Sequence, residues 1–566
     1  FSVLLTGCAN NGKGNSKGSA NGSQQKPVIS PNGNVDSSDK PVNLNIFIDF
    51  TWYDTDKFTG IIPEEITKET GVTLSPTKAA DATQLGVLIA SDDLPDLVYT
   101  DKLLDRLSSK SKCYAYNKLI KDYAPDFRPT EDQVLVAKSL SGSDDYYTIL
   151  NAASTEEEWH KAPAGCPTLP SLIYRKDILD ELNMPMNTLE DYMAVLEAVK
   201  ARYPDMVPLT MEYTFMTNFF KANMIPNWVA TTEGMLVDGD KVVHESSVPQ
   251  YEEFLKYMNQ LYRKGLINAE NFAFTDGTQS EELMSNNKAF SMSFMTGDRD
   301  TTLTRDLNRN GHKGSFEHAM PMSDLPYTNL GTGWAGVFIS RKNTDPKASI
   351  KMMEWMFSEK GQRITQWGRE GVEYKLDEKG VPQFSDEWLK AREDGTMLEK
   401  YNPNYYFGIS GVVEAVGRAS GISESANAAM DEIRSNLQIE IVLGLIHPKG
   451  DSQEKIMGDQ VSETVKNYET KVILSNSDKQ FDANVKEMHD KLEQIGLPYM
   501  TSSTVWGYFT MNLAIGALIT HVILFYGKDM LLAWKQARSR TQPDPHYQGM
   551  LKYKEVPMWW YIALFV

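Results

Sequence analysis

Asn43-Leu-Asn-Ile-Phe-Ile-Asp-Phe50, Gly71-Val-Thr-Leu-Ser-Pro76 and Leu94-Pro-Asp-Leu-Val-Tyr-Thr100 are the stretches whose reading decides the fold. Leu44, Ile46 and Ile48 alternate with Asn45, Phe47 and Asp49, the two-residue period of a β-strand. From Asp56 to Thr70, Phe58, Ile61, Ile62, Ile66 and Glu69 recur at helical spacing, and Gly71 stops that helix. Val72–Ser75 reads as a second strand, Ala79–Ser91 as a second helix and Asp96–Tyr99 as a third strand. Strands alternating with helices predict a parallel sheet joined by right-handed crossovers. In such sheets ligands sit beyond the carboxyl ends of the strands. Here those ends carry Phe50, Trp52, Tyr53 and Asp54 after the first strand, and Thr100 and Asp101 after the third.

A chain of 566 residues is too long for one core, so two or three domains are expected. Its 57 Lys and Arg against 76 Asp and Glu leave a net charge of −19, which excludes general nucleic-acid binding. Cys8, Cys113 and Cys166 are the whole cysteine complement. Cys113 and Cys166 are free to pair in an oxidising compartment, a matter spacing leaves open. Nothing has zinc-site spacing, and the sequence gives no reason to expect a cofactor.

Working outward to the N-terminus, FSVLLTGC (residues 1–8) reads as the end of a secretory signal. Leu5-Thr6-Gly7-Cys8 resembles the bacterial lipobox, whose cysteine becomes the acylated N-terminus of a lipoprotein. Residues 9–42 are a flexible linker of Gly, Ser, Asn, Gln and Lys. Toward the C-terminus, Leu103–Phe127 reads as a polar helical region and Asp144–Leu150 as a strand. SLIYRKDILDELNMP reads as a strand entering a helix; Thr188 caps a helix over Leu189–Arg202, and Val207–Tyr213 is a strand. Glu252–Gly265 is amphipathic, Gly333–Ser340 is a strand, and Asp345 with Pro346 starts the next helix. Helices over Ala426–Leu445, Ser452–Glu469 and Asp482–Ile495 close this body.

In this order of elements, residues 43–497 resemble the carbohydrate-type extracellular solute-binding proteins of bacterial ABC importers. The fragments that carry the resemblance are LPDLVY, LIYRKDILDELNMPMNTLEDY, LYRKGLINAE and MMEWMFSEKGQRITQWGREGVEY. It implies an α/β fold of two lobes like that of periplasmic binding proteins, joined by hinge strands. The lobes would close over a sugar or oligosaccharide, with importer permease subunits as partners and Cys8 as lipid anchor on the extracellular face of the membrane.

Sugars offer C–H faces to aromatic rings and hydroxyls to carboxylates. Trp52, Tyr53, Asp101, Trp228, Trp334, Glu370 and Tyr406 are therefore the candidate ligand contacts, with Trp334 in the expected hinge strand. Each aromatic has a plain alternative in core packing, and Glu370 in a solvated loop. Asp306, Asn308, Asn310, Gly311 and Glu317 match the spacing of a calcium loop, but Lys313 and the flanks fit it poorly. The favoured reading is a helix over Thr301–Asn310 stopped by Gly311, with a strand at Glu317–Met320. No His-Glu-x-x-His occurs, and no catalytic residue is assigned; the one Gly-x-Ser-x-Gly, Gly14–Gly18, lies in the flexible linker. A glycoside hydrolase, which needs two facing carboxyls, is the enzyme-class rival; Glu281 and Glu282 read instead as a solvated face.

Thr504–Tyr526 is 23 residues without a charge, a span of about 34 Å as a helix, enough to cross a bilayer. Lys528, Lys535, Arg538 and Arg540 follow on the expected cytoplasmic side. PYMTSSTVWGYF, HVILFYGKDM and the Tyr553–Tyr561 run resemble the oligopeptide transporter family, the proton-coupled peptide carriers of fungi and plants. Residues 498–566 then form a fragment of transmembrane type: one full helix and a truncated second one. An oligopeptide transport component is the alternative function this tail suggests.

Overall fold

Strand β1 (Val42–Ile48) is buried from both sides: Leu44, Ile46 and Ile48 enter one apolar core and Phe47 another. The computed structural model to which it belongs describes residues 40–496, except 54–56, 156–168, 212–216, 403–408, 412–422 and several isolated positions. The strands that follow are β2 (Val72–Lys78), β3 (Leu97–Thr100), β4 (Pro170–Arg175), β5 (Val207–Met211), β6 (Met235–Asp238) and β7 (Lys241–His244). After them come β8 (Ala289–Met295), β9 (Phe316–His318), β10 (Tyr327–Asn329), β11 (Gly336–Ile339), β12 (Tyr374–Leu376), β13 (Pro382–Phe384) and β14 (Leu437–Ile439).

The first sheet has the order β11-β3-β1-β2, with β1 parallel to both β2 and β3 and β11 antiparallel at the edge. Parallel neighbours need crossovers, and the helices Ile61–Thr70 and Gln84–Ser91 supply them. Gly71, left-handed at φ 71°, ends the first of these and donates its N–H to Thr67 O. The second sheet has the order β5-β8-β4-β9 and its own, larger core. Helices Leu189–Arg202, Pro249–Arg263, Gln453–Ile473 and Asp478–Ile495 pack into that core through Tyr192, Phe254, Val461 and Met488. Two expected caps are formed, Thr188 accepting from Asp191 N and Asp345 from Ala348 N; each stabilises its helix by about 1 kcal/mol.

The chain passes between the two sheets by way of residues 150–170, 329–336 and 402–424. Leu150 bridges Gly336 and Ala153 bridges Thr332, so the first two passages run side by side and antiparallel. They approach so closely at Gly333 (φ 77°) that an added Cβ would lie 2.0 Å from Asn151 O.

Several expected boundaries are corrected. Asp144–Leu150 is not a ladder strand: the segment is bound instead by Tyr116 N to Tyr146 O and by Thr148 Oγ1 to Val337 O. Its residues from Tyr146 to Leu150 are buried throughout, packed between elements without a ladder. Leu103–Phe127 divides into short helices at Leu104–Leu107 and Tyr116–Tyr123. The helix expected over Ala426–Leu445 ends at Ser435, and β14 follows. The calcium-loop match is occupied by a helix (Arg299–Arg309), Gly311 at φ 84° and strand β9, the arrangement favoured above. Cys113 is a buried free thiol whose pKa burial pushes up to about 12; Cys166 lies outside the described residues.

Candidate ligand-binding site

The carboxyl ends of β1 and β3 and the β11-side passage bring five aromatic rings together. Phe50 is the hub: its ring centroid lies 5.1 Å from Trp52, 4.9 Å from Tyr99 and 5.3 Å from Trp334. Trp52 and Trp334 are 6.4 Å apart, and Tyr53 stands 5.7 Å from Trp52 and 6.3 Å from Tyr99. Most of this cluster is ordinary core, but Trp52 keeps 57% of its surface exposed. An indole held by neighbouring rings, with one side open, is a pre-formed stacking surface.

Polar groups border these rings. Asn151 donates to the Tyr99 hydroxyl (3.4 Å) and accepts from Ala335 N (3.1 Å), tying the passage strands to β3. Asp49 is buried; its Oδ2 accepts from Thr100 Oγ1 at 2.9 Å, while its Oδ1 has no partner. Desolvation raises the Asp49 pKa, against the Thr100 hydroxyl and Lys102, which lower it. Desolvation likewise raises that of Asp101, again opposed by Lys102. A carboxylate oxygen without a donor, such as Asp49 Oδ1, is an acceptor that a hydroxyl can satisfy.

Of the residues expected from sequence, Trp52, Tyr53 and Trp334 come together, and Asp101 follows Thr100 at the end of the same sheet. Trp228 lies elsewhere, in the second core, where its Nε1 donates to Glu245 Oε2 at 2.6 Å. Beside it is a cavity of about 50 Å³ that reaches β10. Glu370 is exposed and bridges Tyr374, next to the separate small cluster of Trp367, Tyr374, Leu376 and Phe384. Tyr406, Cys8 and the 504–526 segment lie outside the described residues. Sequence reading passed over Asp49, taken as the polar half of an alternation, and Asn151, which follows a misassigned strand. Nothing in their local sequence marks either one.

Among the described residues no group of His, Cys, Asp and Glu is arranged to hold a metal ion. Ser171, His318 and Asp300 superficially suggest a catalytic triad, with Ser171 Oγ 2.8 Å from His318 Nδ1. All three are buried, however, and Asp300 is engaged by Ser423 and Ser425. That arrangement fastens β4 and β9 to the helix starting at Glu424 and offers no surface to a substrate. Glu281, half of the proposed solvated pair, forms an ion pair with Arg299.

The mixed α/β architecture is that of the extracellular solute-binding proteins. The structure of FusA from Streptococcus pneumoniae in complex with kestose matches with a TM-score of 0.58 at 18% identity, over 83% of this chain and 99% of that one. Alginate-binding protein AlgQ2 without calcium ion matches with a TM-score of 0.57 at 20% identity, over 82% and 98%. In sequence, the fructooligosaccharide ABC transporter substrate-binding protein FusA is 26% identical over 228 residues, 38% of this chain and 42% of the relative. Lipoprotein LipO of Bacillus subtilis is 23% identical over 412 residues, 66% and 72% respectively.

The C-terminal part matches differently. The family model for OPT oligopeptide transporter protein covers residues 441–566. Oligopeptide transporter 2 of Arabidopsis thaliana is 35% identical over 77 residues, 13% of this chain. The chain spans only 10% of that transporter's length and 42% of FusA's. Residues 43–497 thus resemble bacterial solute-binding proteins of carbohydrate type, and residues 498–566 a fragment of the oligopeptide transporter family.

Proposed function

We propose that residues 43–497 capture a sugar or oligosaccharide for an ABC importer, without catalysis, and are held at the extracellular face of the membrane through acylated Cys8. In this reading the two sheets are the centres of two lobes, and the antiparallel passages at 150–153 and 332–336 are the hinge. Residues 498–566 are an appended membrane fragment whose 504–526 helix spans the bilayer. The observation that carries the binding function is the exposed Trp52 ring, backed by Phe50 and Trp334, with the unpartnered Asp49 Oδ1 at the end of the same strand. The sugars in the names of the similar proteins, fructooligosaccharide and alginate, support the ligand class.

Titration calorimetry against a panel of neutral sugars and a panel of peptides tests it. Saturable sugar binding with tryptophan quenching and no released product is the expected result. Binding of peptides alone favours the oligopeptide alternative, and product formation favours the glycosidase. For the anchor, labelled palmitate is expected to enter the intact precursor made in bacteria and to be lost in Cys8→Ser; label that persists refutes it.

A further inference from the structure

The cavity beside Trp228 has features that the aromatic cluster lacks. Its volume is about 50 Å³, and its walls include Leu169, Ala222, Trp228, Val229, Thr328 and Asn329. Trp228 is held in place by its bond to the buried Glu245, so its ring is a fixed wall. Thr328 is 6% exposed, yet its Oγ1 has no hydrogen-bond partner. A buried hydroxyl left unsatisfied costs about 1–3 kcal/mol. Among the described residues, no lysine, arginine or carboxylate lines it.

These facts restrict the occupant. A water-sized group takes about 10–15 Å³, so the cavity admits about four non-hydrogen atoms, too few for a sugar ring. A lone hydroxyl would leave much of it empty and would give up contacts along the apolar walls. A carboxylate or sulfate would be buried with no cation to meet it. An acetamido group has the right size and a fitting polarity: its methyl would meet Leu169, Ala222 and Val229, its carbonyl oxygen would accept from Thr328 Oγ1, and its N–H would use the second lone pair of Asn329 Oδ1, which already accepts from Gly331 N. The position agrees, because Asn329 is five residues before Trp334 along the passage, a reach of at most about 17 Å. One short oligosaccharide is able to touch both.

We propose that this cavity is an acetamido pocket, making the preferred ligand an oligosaccharide that contains an N-acetylhexosamine. The proposal rests on the sugar-binding reading above and names its substrate class.

Two matched pairs test it: triacetylchitotriose with cellotriose, and N-acetyllactosamine with lactose. Within each pair acetamido groups replace 2-hydroxyls, three in the first pair and one in the second. At least one acetamido member is expected to bind 10-fold or more tightly than its counterpart, the range a small group in an apolar pocket provides (about 10–200-fold). Thr328→Val keeps the volume but removes the hydroxyl. It is expected to bring the ratio down several-fold, leave the counterpart's affinity unchanged, and melt no lower than the parent. Ala222→Leu fills the cavity and is expected to bring the ratio close to one. If sugars bind but no acetamido member exceeds its counterpart, or if Thr328→Val and Ala222→Leu both preserve the ratio, the pocket assignment is overturned while sugar binding stands. If no sugar of any kind binds, the sugar-binding reading falls and this proposal with it.

Discussion

Replacing Lys221 by methionine is expected to be among the most damaging single changes in the second core. Its Nζ lies 2.7 Å from Glu245 Oε1 and 2.8 Å from Glu469 Oε2, above the Tyr251 and Phe254 rings at 5.4 Å. Burial works against the charge on Lys221, but the two glutamates outweigh it and hold its pKa above the ordinary value. Burial also opposes ionisation of Glu245; Lys221, with help from His244 and Trp228, outweighs it and holds that carboxyl below its ordinary range. In Lys221→Met the lysine charge is gone: Glu245 keeps Trp228 Nε1 and the attraction of His244, and Glu469 keeps Thr217 Oγ1 and Tyr251 OH. Removing one partner of a buried ion pair costs about 3–5 kcal/mol, more than half the stability of a domain at the lower end of the usual range of about 5–15 kcal/mol.

The loss has a pH signature. In the parent, Glu245 contributes fully above its ordinary pKa of 4.5, and its share disappears only as pH falls through the depressed native value. Lys221 contributes fully below 10.5, and its share is lost as pH rises through the elevated native value. Between those limits the network's contribution is flat. In the variant, Glu245 lacks its cation and its native pKa moves up, so the native state gains a proton as pH falls from 7 toward 4.5. The deficit relative to the parent is therefore largest near neutrality and shrinks in that direction. Urea unfolding of both proteins at pH 7.5, 6 and 5 measures it. A deficit under 1 kcal/mol at pH 7.5, or one that does not shrink on acidification, refutes the account.

Trp52→Ala is expected to weaken sugar binding with little change in melting: covering about 100 Å² of the exposed indole contributes about 2.5 kcal/mol, and calorimetry reads the loss. Gly333→Ala is expected to destabilise by more than the roughly 1–3 kcal/mol of its left-handed backbone alone, because the new Cβ would meet Asn151 O; urea unfolding measures this. A chain ending at Leu497 is expected to stay in solution without detergent, unfold cooperatively and keep full sugar affinity. A chain ending at Glu440 is expected to do none of these.

What sequence revealed was mostly what short-range pattern encodes. The first three strands, the caps at Thr188 and Asp345 and the stop at Gly71 depend on residues within a few positions of one another. Trp52, Tyr53 and Trp334 were legible as candidates because strand ends locate ligands in parallel sheets, although their meeting at Phe50 depends on the edge pairing of β11 with β3. Asp144–Leu150 misled because a short run of buried aromatic and β-branched residues reads as a strand, whatever partners its backbone finds. The Thr328 pocket was invisible: an unpartnered hydroxyl is a property of what surrounds it, and its surroundings come from Leu169, Ala222 and Trp228, far apart in the chain.

The stretch from 441 to 496 matches the transporter family model and also lies within the described fold. Its physical role is set by its contacts. Met457, Val461, Val465, Val472, Phe481, Met488 and Leu492 are part of the second core. Asn259 Nδ2 donates to Ile473 O at 2.8 Å and to Ser475 O at 2.7 Å, closing the turn between the two last helices. Glu469 supplies one of the two carboxylates on Lys221. The same helices place Lys455 with Asp459, Lys471 with Glu487 and Lys486 with Asp490 on their outer faces. Such charges would be costly in a bilayer core, and among the described residues no helix is long and apolar enough to cross a membrane. Gly496, left-handed at φ 93°, then ends the last helix and donates to Glu493 O. A body that draws nine buried apolar side chains and one of the two carboxylates on Lys221 from 441–496 needs that stretch to close its core, and we propose that the two resemblances divide just after Gly496.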